Sequence, residues 1–285
     1  MTARRRSTPL TVAMLAALAY FLLPLFWLAV ASTKSTQDLF TTFGLWFSDS
    51  PRLFANIRAT LTYDDGVFGR WLLNTGMYAV ASALGAALLA AAGGYGFAKF
   101  RWRGDRAAFN LVLGAIMVPT TALAIPTYLL FAKVGLVNTP WAVILPSLVS
   151  PFGLYLMRVY AQDAVPDTVI EAARIDGAGE LQIFVRIAMR LLAPGFVTVV
   201  LFTLVATWNN YFLPLIMLND PNLYPITVGL ASWSAQAVGG GSGASSDMLA
   251  LVVTGSLLSV VPLVVAFLLL QRYWRSGLAA GGVKQ

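Results

Sequence analysis

Six stretches of this chain contain no Asp, Glu, Lys or Arg, and each is long enough to cross a lipid bilayer. They run from Leu10 to Ala31, Trp71 to Ala98, Ala107 to Ala132, Val134 to Met157, Leu191 to Asn219, and Met248 to Gln271. A helix rises 1.5 Å per residue and the hydrocarbon core is roughly 30 Å thick, so about 20 mostly apolar residues suffice. Lipid offers backbone N–H and C=O groups no partner, which confines such runs to helices that satisfy those groups internally. The expected fold is an all-α polytopic membrane protein with six transmembrane helices. Lys133 alone parts the third and fourth runs, but Asn138-Thr139-Pro140 is a helix breaker, so the connection is expected at about 132–139. Arg4, Arg5 and Arg6 precede the first run in the manner of a signal peptide. That run is too long for a typical signal core and no Ala-x-Ala site fits cleanly before Lys34, so it reads as a retained span.

Charge placement gives the orientation. Fourteen of the 19 Lys and Arg residues fall in alternate connections that share a side with the N-terminus, and 5 fall in the others. By the excess of basic residues on the cytoplasmic side, both termini are expected inside. The net charge of +7 therefore reflects short membrane-flanking segments rather than a soluble basic face for nucleic acid. Trp71 and Trp141 outside, with Trp102 and Trp274 inside, fit an interfacial aromatic belt. The chain divides into a cytoplasmic N-terminus (1–9), a six-span region (10–271) and a cytoplasmic tail (272–285). The outer connection at about 220–247 contains the flexible tract Gly239-Gly240-Gly241-Ser242-Gly243.

Several functions are disfavoured by what the runs lack. All 12 acidic residues lie outside them, whereas ion-coupled carriers keep carboxylates within the membrane to relay the ion. The runs also carry no Lys or Arg, which disfavours a voltage sensor or a pore lined by charged rings. With no His and no Cys, no metal site and no catalytic site is expected, and Asp105 alone near the inner face does not supply one. No Walker A pattern occurs; Gly281-Gly282-Val283-Lys284 has the wrong spacing. Uphill transport would need a motor on another polypeptide, leaving this chain without a cofactor of its own.

The inner connection between the fourth and fifth runs (about 161–190) differs from the rest. It reads Val165-Pro166-Asp167-Thr168-Val169-Ile170-Glu171-Ala172-Ala173-Arg174-Ile175-Asp176-Gly177-Ala178-Gly179. Thr168 and Glu171 have the Thr-x-x-Glu spacing of a capping box, so a short helix is expected to start near 168. Gly177 suits the left-handed residue that ends a helix, and a second helix is expected from about Glu180 to Arg190. The apolar Val169, Ile170, Ala172, Ala173 and Ile175 are too many for a free loop and suit a knob for a partner's socket. An ordinary amphipathic surface helix is the other reading.

Glu171-Ala172-Ala173 followed by Asp176-Gly177-Ala178 resembles the "EAA" loop of ABC importer permeases. The resemblance implies a coupling helix that docks in a cleft of the nucleotide-binding subunit, whose closure pushes the loop and reorients the spans. Ala172 and Ala173 would allow close approach, Glu171 would cap the helix or meet a basic group, and Gly177 would make the turn. The family pattern usually continues to Leu-Pro, where this chain has Met189-Arg190.

Further stretches resemble the carbohydrate-uptake, maltose-type branch: Pro24-Leu25-Phe26-Trp27 through Ser32-Thr33-Lys34, Asn74-Thr75, Gly135-Leu136-Val137-Asn138-Thr139, Trp208-Asn209-Asn210-Tyr211, and Gly277 to Lys284. Such importers use two permease subunits, two ATPase subunits and an external solute-binding protein in a bacterial inner membrane. The resemblance implies a sugar or oligosaccharide as solute; a polyol or glycerol-phosphate-like solute, or a membrane scaffold or signalling protein, are the alternatives. Asn209 and Asn210 lie within an apolar run, where a buried amide must find a hydrogen-bond partner. A sugar hydroxyl is one candidate, with Trp208 or Tyr211 stacking on the ring, and a backbone carbonyl or the other permease is another. Thr120 and Thr121, between Pro119 and Pro126, are expected to satisfy backbone groups that the prolines free.

Overall fold

A computed structural model describes residues 8–239 and 247–281, with side chains as far as Gln271. Arg4 to Arg6, residues 240–243 of the glycine tract, Gly282 to Lys284 and the side chains of Arg272, Trp274 and Arg275 lie outside the described residues. Among those described, helices are the only regular structure. Five helical stretches are long and apolar enough to cross a membrane: Thr8–Ala31, Leu53–Lys99, Trp141–Ala164, Glu180–Trp208 and Met248–Gln271. The protein is a polytopic α-helical membrane protein.

The third apolar run is the one that yields no helical stretch long and apolar enough to cross. It folds as α5 (Asp105–Ile116) and α6 (Ala124–Lys133), separated by turns over 117–123. Pro119 and Pro126 account for the break, because each lacks the N–H that a continuing helix would use. Successive turns satisfy the freed groups, with Ala122 N–H bonding Pro119 O at 3.0 Å and Leu123 N–H bonding Thr120 O at 3.2 Å. The backbone thus does what had been expected of the Thr120 and Thr121 hydroxyls, whose side chains are exposed.

The described residues form two compact units. The first comprises residues up to Gly69 together with Gly229–Val261. It contains α1 (Thr8–Ala31), α2 (Thr36–Thr41) and α3 (Leu53–Thr62). Every side chain of α1 from Thr8 to Trp27 is exposed, an apolar surface suited to lipid or another chain. The turn after it is buried and internally bonded. Lys34, 1 % exposed, donates from Nζ to Thr42 Oγ1 at 2.9 Å and to Phe43 O at 2.7 Å. Asn56 Nδ2 donates to Ser32 O and Lys34 O, so Ser32-Thr33-Lys34 serves here as a satisfied polar corner.

The second unit comprises Arg70–Val228 and the described residues from Pro262 onward. It holds most of α4 (Val67–Lys99), then α5, α6, α7 (Trp141–Ser147) and α8 (Pro151–Ala164). A connection at 134–140, turned by Asn138 at φ 61°, links α6 to α7. Ala79, Ala83, Ala87, Ala90 and Ala91 of α4 are buried at helical spacing. Small residues let helix backbones approach closely, the usual basis of packing where lipid supplies no hydrophobic drive. Gly94 extends this stripe: a Cβ there would lie 2.6 Å from the Arg158 backbone nitrogen and from the Met157 side chain. Trp71 also belongs to this interior at 3 % exposed, and its Nε1–H donates to Pro221 O at 2.9 Å. It is a core residue rather than a belt residue; Trp102 and Trp141 are about half exposed, as a belt requires.

Candidate functional site

The segment after α8 folds into the two-part foot that its sequence suggests. Val165 is buried, Pro166 is extended at φ −65° and ψ 137°, and α9 (Asp167–Ile175) follows. The helix starts one residue before the expected position, so Thr168 lies inside the first turn and no side chain caps it. Thr168 and Glu171 therefore do not form a capping box, and both point to solvent. Proline at the cap fixes the entry, and Asp167 puts a carboxylate in the first turn, where the helix dipole favours it. That carboxylate bonds Lys99 Nζ at 2.7 Å, tying the start of α9 to the end of α4. The Lys99 hydrogen bond, reinforced by its charge, holds the Asp167 carboxyl below the usual range.

The end of α9 matches expectation. Gly177 has φ +81°, Gly177 N–H bonds Arg174 O and Ala178 N–H bonds Ala173 O, both at 3.0 Å. These two bonds define a Schellman cap. Asp176 is the residue before the turn, with its own N–H bonded to Ala172 O. Across the turn, Arg174 Nε meets Glu180 Oε1 at 2.7 Å and braces the foot.

The second half of the foot differs from the expected separate helix over 180–190. α10 (Glu180–Ile183) passes through a π-helical turn, Phe184–Ala188, directly into α11 (Met189–Trp208). Met189 and Arg190, unlike a Leu-Pro pair, both keep the N–H needed to continue the helix. The π turn has a packing reason. Ile183 and Ala188 are both fully buried five residues apart, a spacing that an α-turn would rotate off one face and a wider turn restores. Leu192, Gly195 and Val199 then continue the buried face at α-helical spacing.

The apolar residues of α9 divide into two sets. Ile170 and Ala173 are buried in the unit's core and root the foot. Val169, Ala172 and Ile175 face outward with Leu181 and Val185 of the second half, Ile175 being 87 % and Leu181 76 % exposed. Sequence reasoning missed Lys99, Glu180, Leu181 and Val185 as parts of this site. Lys99 is 68 residues from its partner and gives no local signal. Glu180 lies six residues beyond Arg174 across a glycine turn, outside any helical pairing rule.

The second candidate region lies at the other end of α11. The helix stops at Trp208, Asn209 to Tyr211 are irregular, and α12 (Phe212–Met217) begins anew, so the fifth apolar run is not one helix to Asn219. Trp208 is buried in the core, whereas Asn209 and Tyr211 are exposed. Asn209 Nδ2 donates to Val205 O at 2.9 Å, the backbone-carbonyl alternative. The Asn210 carbonyl accepts from Thr227 Oγ1 at 2.8 Å. The segment beyond α12, residues 219–226, is held by residues from earlier in the chain. Asn138 Oδ1 accepts from Asn219 and Asp220 N–H, each at 2.9 Å, and Asn74 Nδ2 donates to Asn222 O and Tyr224 O. Thr75 Oγ1 accepts from Ile226 N–H at 2.7 Å, at the first residue of the apolar α13 (Ile226–Gly239), which occupies part of the stretch expected as a connection. The last helix is α14 (Met248–Gly281).

Comparison with known proteins agrees with this architecture. The chain is 30 % identical to the arabinooligosaccharides transport system permease protein AraQ of Bacillus subtilis, over 93 % of this chain and 91 % of that protein. It is 29 % identical to the melibiose/raffinose/stachyose import permease protein MelC of the same organism, over the full length of both. Its fold matches a chain in the crystal structure of a bacterial ABC transporter involved in the import of the acidic polysaccharide alginate. That match has a TM-score of 0.80 at 22 % identity, covering 96 % of this chain and 100 % of that one. Residues 83–276, which include the foot and all of α11, match a family described as the binding-protein-dependent transport system inner membrane component, and the chain belongs to that family.

Proposed function

We propose that this chain is one of two permease subunits of an ATP-driven importer that carries a sugar or oligosaccharide delivered by an external solute-binding protein. The observation that carries this reading is the foot: an outward apolar face of Ala172, Ile175 and Leu181, rooted by Ile170 and Ala173 and continuous through the π turn with α11. A rigid helix joined to a docking face is what a mechanical coupling needs. Two ATPase subunits would supply ATP and magnesium, and this chain would do no chemistry of its own. Thr168, Glu171, Ala172, Ala173, Asp176 and Gly177 are the proposed coupling residues, with Ala173 acting from inside the foot. The carbohydrate names of the relatives favour sugar over a polyol or glycerol-phosphate-like solute.

In this reading both termini face the cytoplasm of a bacterial cell, the membrane is the inner one, and α5 with α6 completes a sixth crossing. The exposed turns at 117–123 support a second permease subunit over that break, because irregular backbone at membrane depth is tolerated only where protein or a water-filled cavity covers it. Asn209 and Tyr211 are the proposed solute-facing residues, Asn210 holds the backbone break open, and Trp208 packs behind them. The test is co-purification and transport in proteoliposomes with Ala172→Arg. Loss of the ATPase and of ATP-dependent uptake, with the protein still inserted, supports the reading; unchanged uptake and unchanged co-purification sink it.

A further inference from the structure

A small cleft of roughly 190 Å³ opens beside the α4–α5 connection, lined by Phe97, Arg101, Asp105, Arg106, Phe109, Asn110 and Arg158. Three guanidinium groups face one carboxylate there. Asp105 is already engaged, lying 3.7 Å from Arg101 and accepting from the Arg106 backbone N–H at 2.6 Å. Arg158 stands 3.7 Å over the Phe109 ring, and its Nε is buried with no hydrogen-bond partner. A cation over a ring face gains some attraction, but that leaves the Arg158 Nε–H unsatisfied. The cleft thus holds a surplus of two positive charges and one buried donor without an acceptor.

Its position narrows the choice of anion. Phe97 is two residues from the end of one membrane-crossing stretch, Leu53–Lys99, and Arg158 six from the end of another, Trp141–Ala164. Such span ends lie at the level of lipid headgroups. From the cleft, Tyr155 on α8 (40 % exposed), whose ring stacks on Phe109 with centroids 6.4 Å apart and which lies three residues deeper in the span than Arg158, leads toward the hydrocarbon. Basic pockets between membrane helices suit anionic headgroups, and guanidinium groups match phosphate oxygens in shape and charge.

We propose that this cleft binds the phosphodiester of an anionic phospholipid, with Arg101, Arg106 and Arg158 on the phosphate and an acyl chain running past Tyr155. The test is native mass spectrometry and thermal-shift titration of the detergent-purified importer complex with phosphatidylglycerol, phosphatidylcholine and free glycerol phosphate. Phosphatidylglycerol should be retained in preference to phosphatidylcholine. Replacing the exposed pair, R101Q with R106Q, should weaken that retention by about thirtyfold, from about 1 kcal/mol per basic residue near an anionic surface. Equal retention of both lipids, or retention unchanged in the double variant, overturns the proposal. Glycerol phosphate competing as well as the lipid would mean a free-phosphate site and overturns the lipid assignment. If the double variant does not assemble, a photoreactive phosphatidylglycerol on the unaltered complex decides: crosslinks within residues 97–111 support the site. Crosslinks confined to other parts of the complex refute it.

Discussion

The two ends of α11 are built by opposite means. At the foot end the backbone never stops: α10, the π turn and α11 run on without an irregular residue, and buried Ile183, Ala188 and Leu192 hold the whole length against the core. At the other end the helix breaks at Asn209, and side chains from distant segments, Asn138, Asn74 and Thr75, hold the chain between Asn219 and Ile226. A continuous helix transmits displacement, whereas a backbone break interrupts it. The contrast suits the proposed function, in which the foot end is the one that is pushed and Asn209 and Tyr211 face the solute.

The largest expected effect comes from separating the core face of the foot from its outward face. Ala173→Arg should destabilise the protein by several kcal/mol and lower its membrane yield, because it places a charge in a packed core. Ala172→Arg, one residue away and exposed, should leave yield and thermal stability within about 0.5 kcal/mol of the parent. Equal losses of yield in both variants would break the division into two faces.

A smaller effect is expected at Gly94, where α4 and α8 touch. Gly94→Ala should cost about 1–3 kcal/mol through a clash with the Arg158 backbone that no flexible side chain relieves. It should appear as a lowered Tm in detergent. Gly177→Ala meets nothing within 4 Å, so its cost is conformational, roughly 1–2 kcal/mol for a left-handed L residue. Because the strain falls on the foot alone, the variant should lose ATP-driven uptake with little change in Tm.

The smallest effect concerns Asp167. Its folded-state carboxyl is held below the ordinary value, so the Lys99 contact is present above the unfolded carboxyl's pKa and is lost as pH falls through the lower folded one. The hydrogen-exchange protection of α9 amides, relative to their intrinsic rates, should therefore fall only in acid, and Asp167→Asn should flatten that fall. At the broken end, Asn209→Ala removes one bond to the chain's own helix and should shift Tm by no more than an exposed hydrogen bond does, about 1 kcal/mol or less.

Much of the foot was legible in its own residues. Pro166 starts a helix, Gly177 ends one, and the helix between them is short because nothing but local sequence is needed to place those two stops. The capping box expected from Thr168 and Glu171 did not form, since their spacing falls one residue too late relative to a proline that already fixes the entry. The unbroken run from Glu180 to Trp208 was missed because charged Arg186 and Arg190 look like a boundary, although their heads reach outward while the buried face continues beneath them. The break at Asn209 was equally hidden, for an apolar run reports where lipid is tolerated and not whether its backbone is straight.

By itself the sequence determined that this chain lives in a membrane as helices, because charge-free runs of that length have no other way to satisfy their backbone in lipid. It also determined the helical foot and its left-handed glycine, because proline and glycine act on their own dihedral angles. Only the tertiary structure decided which foot residues root and which protrude, which lysine holds Asp167, and where the long helices break. Those outcomes depend on partners tens of residues away, brought within bonding distance only by the packing of α4, α8 and α11.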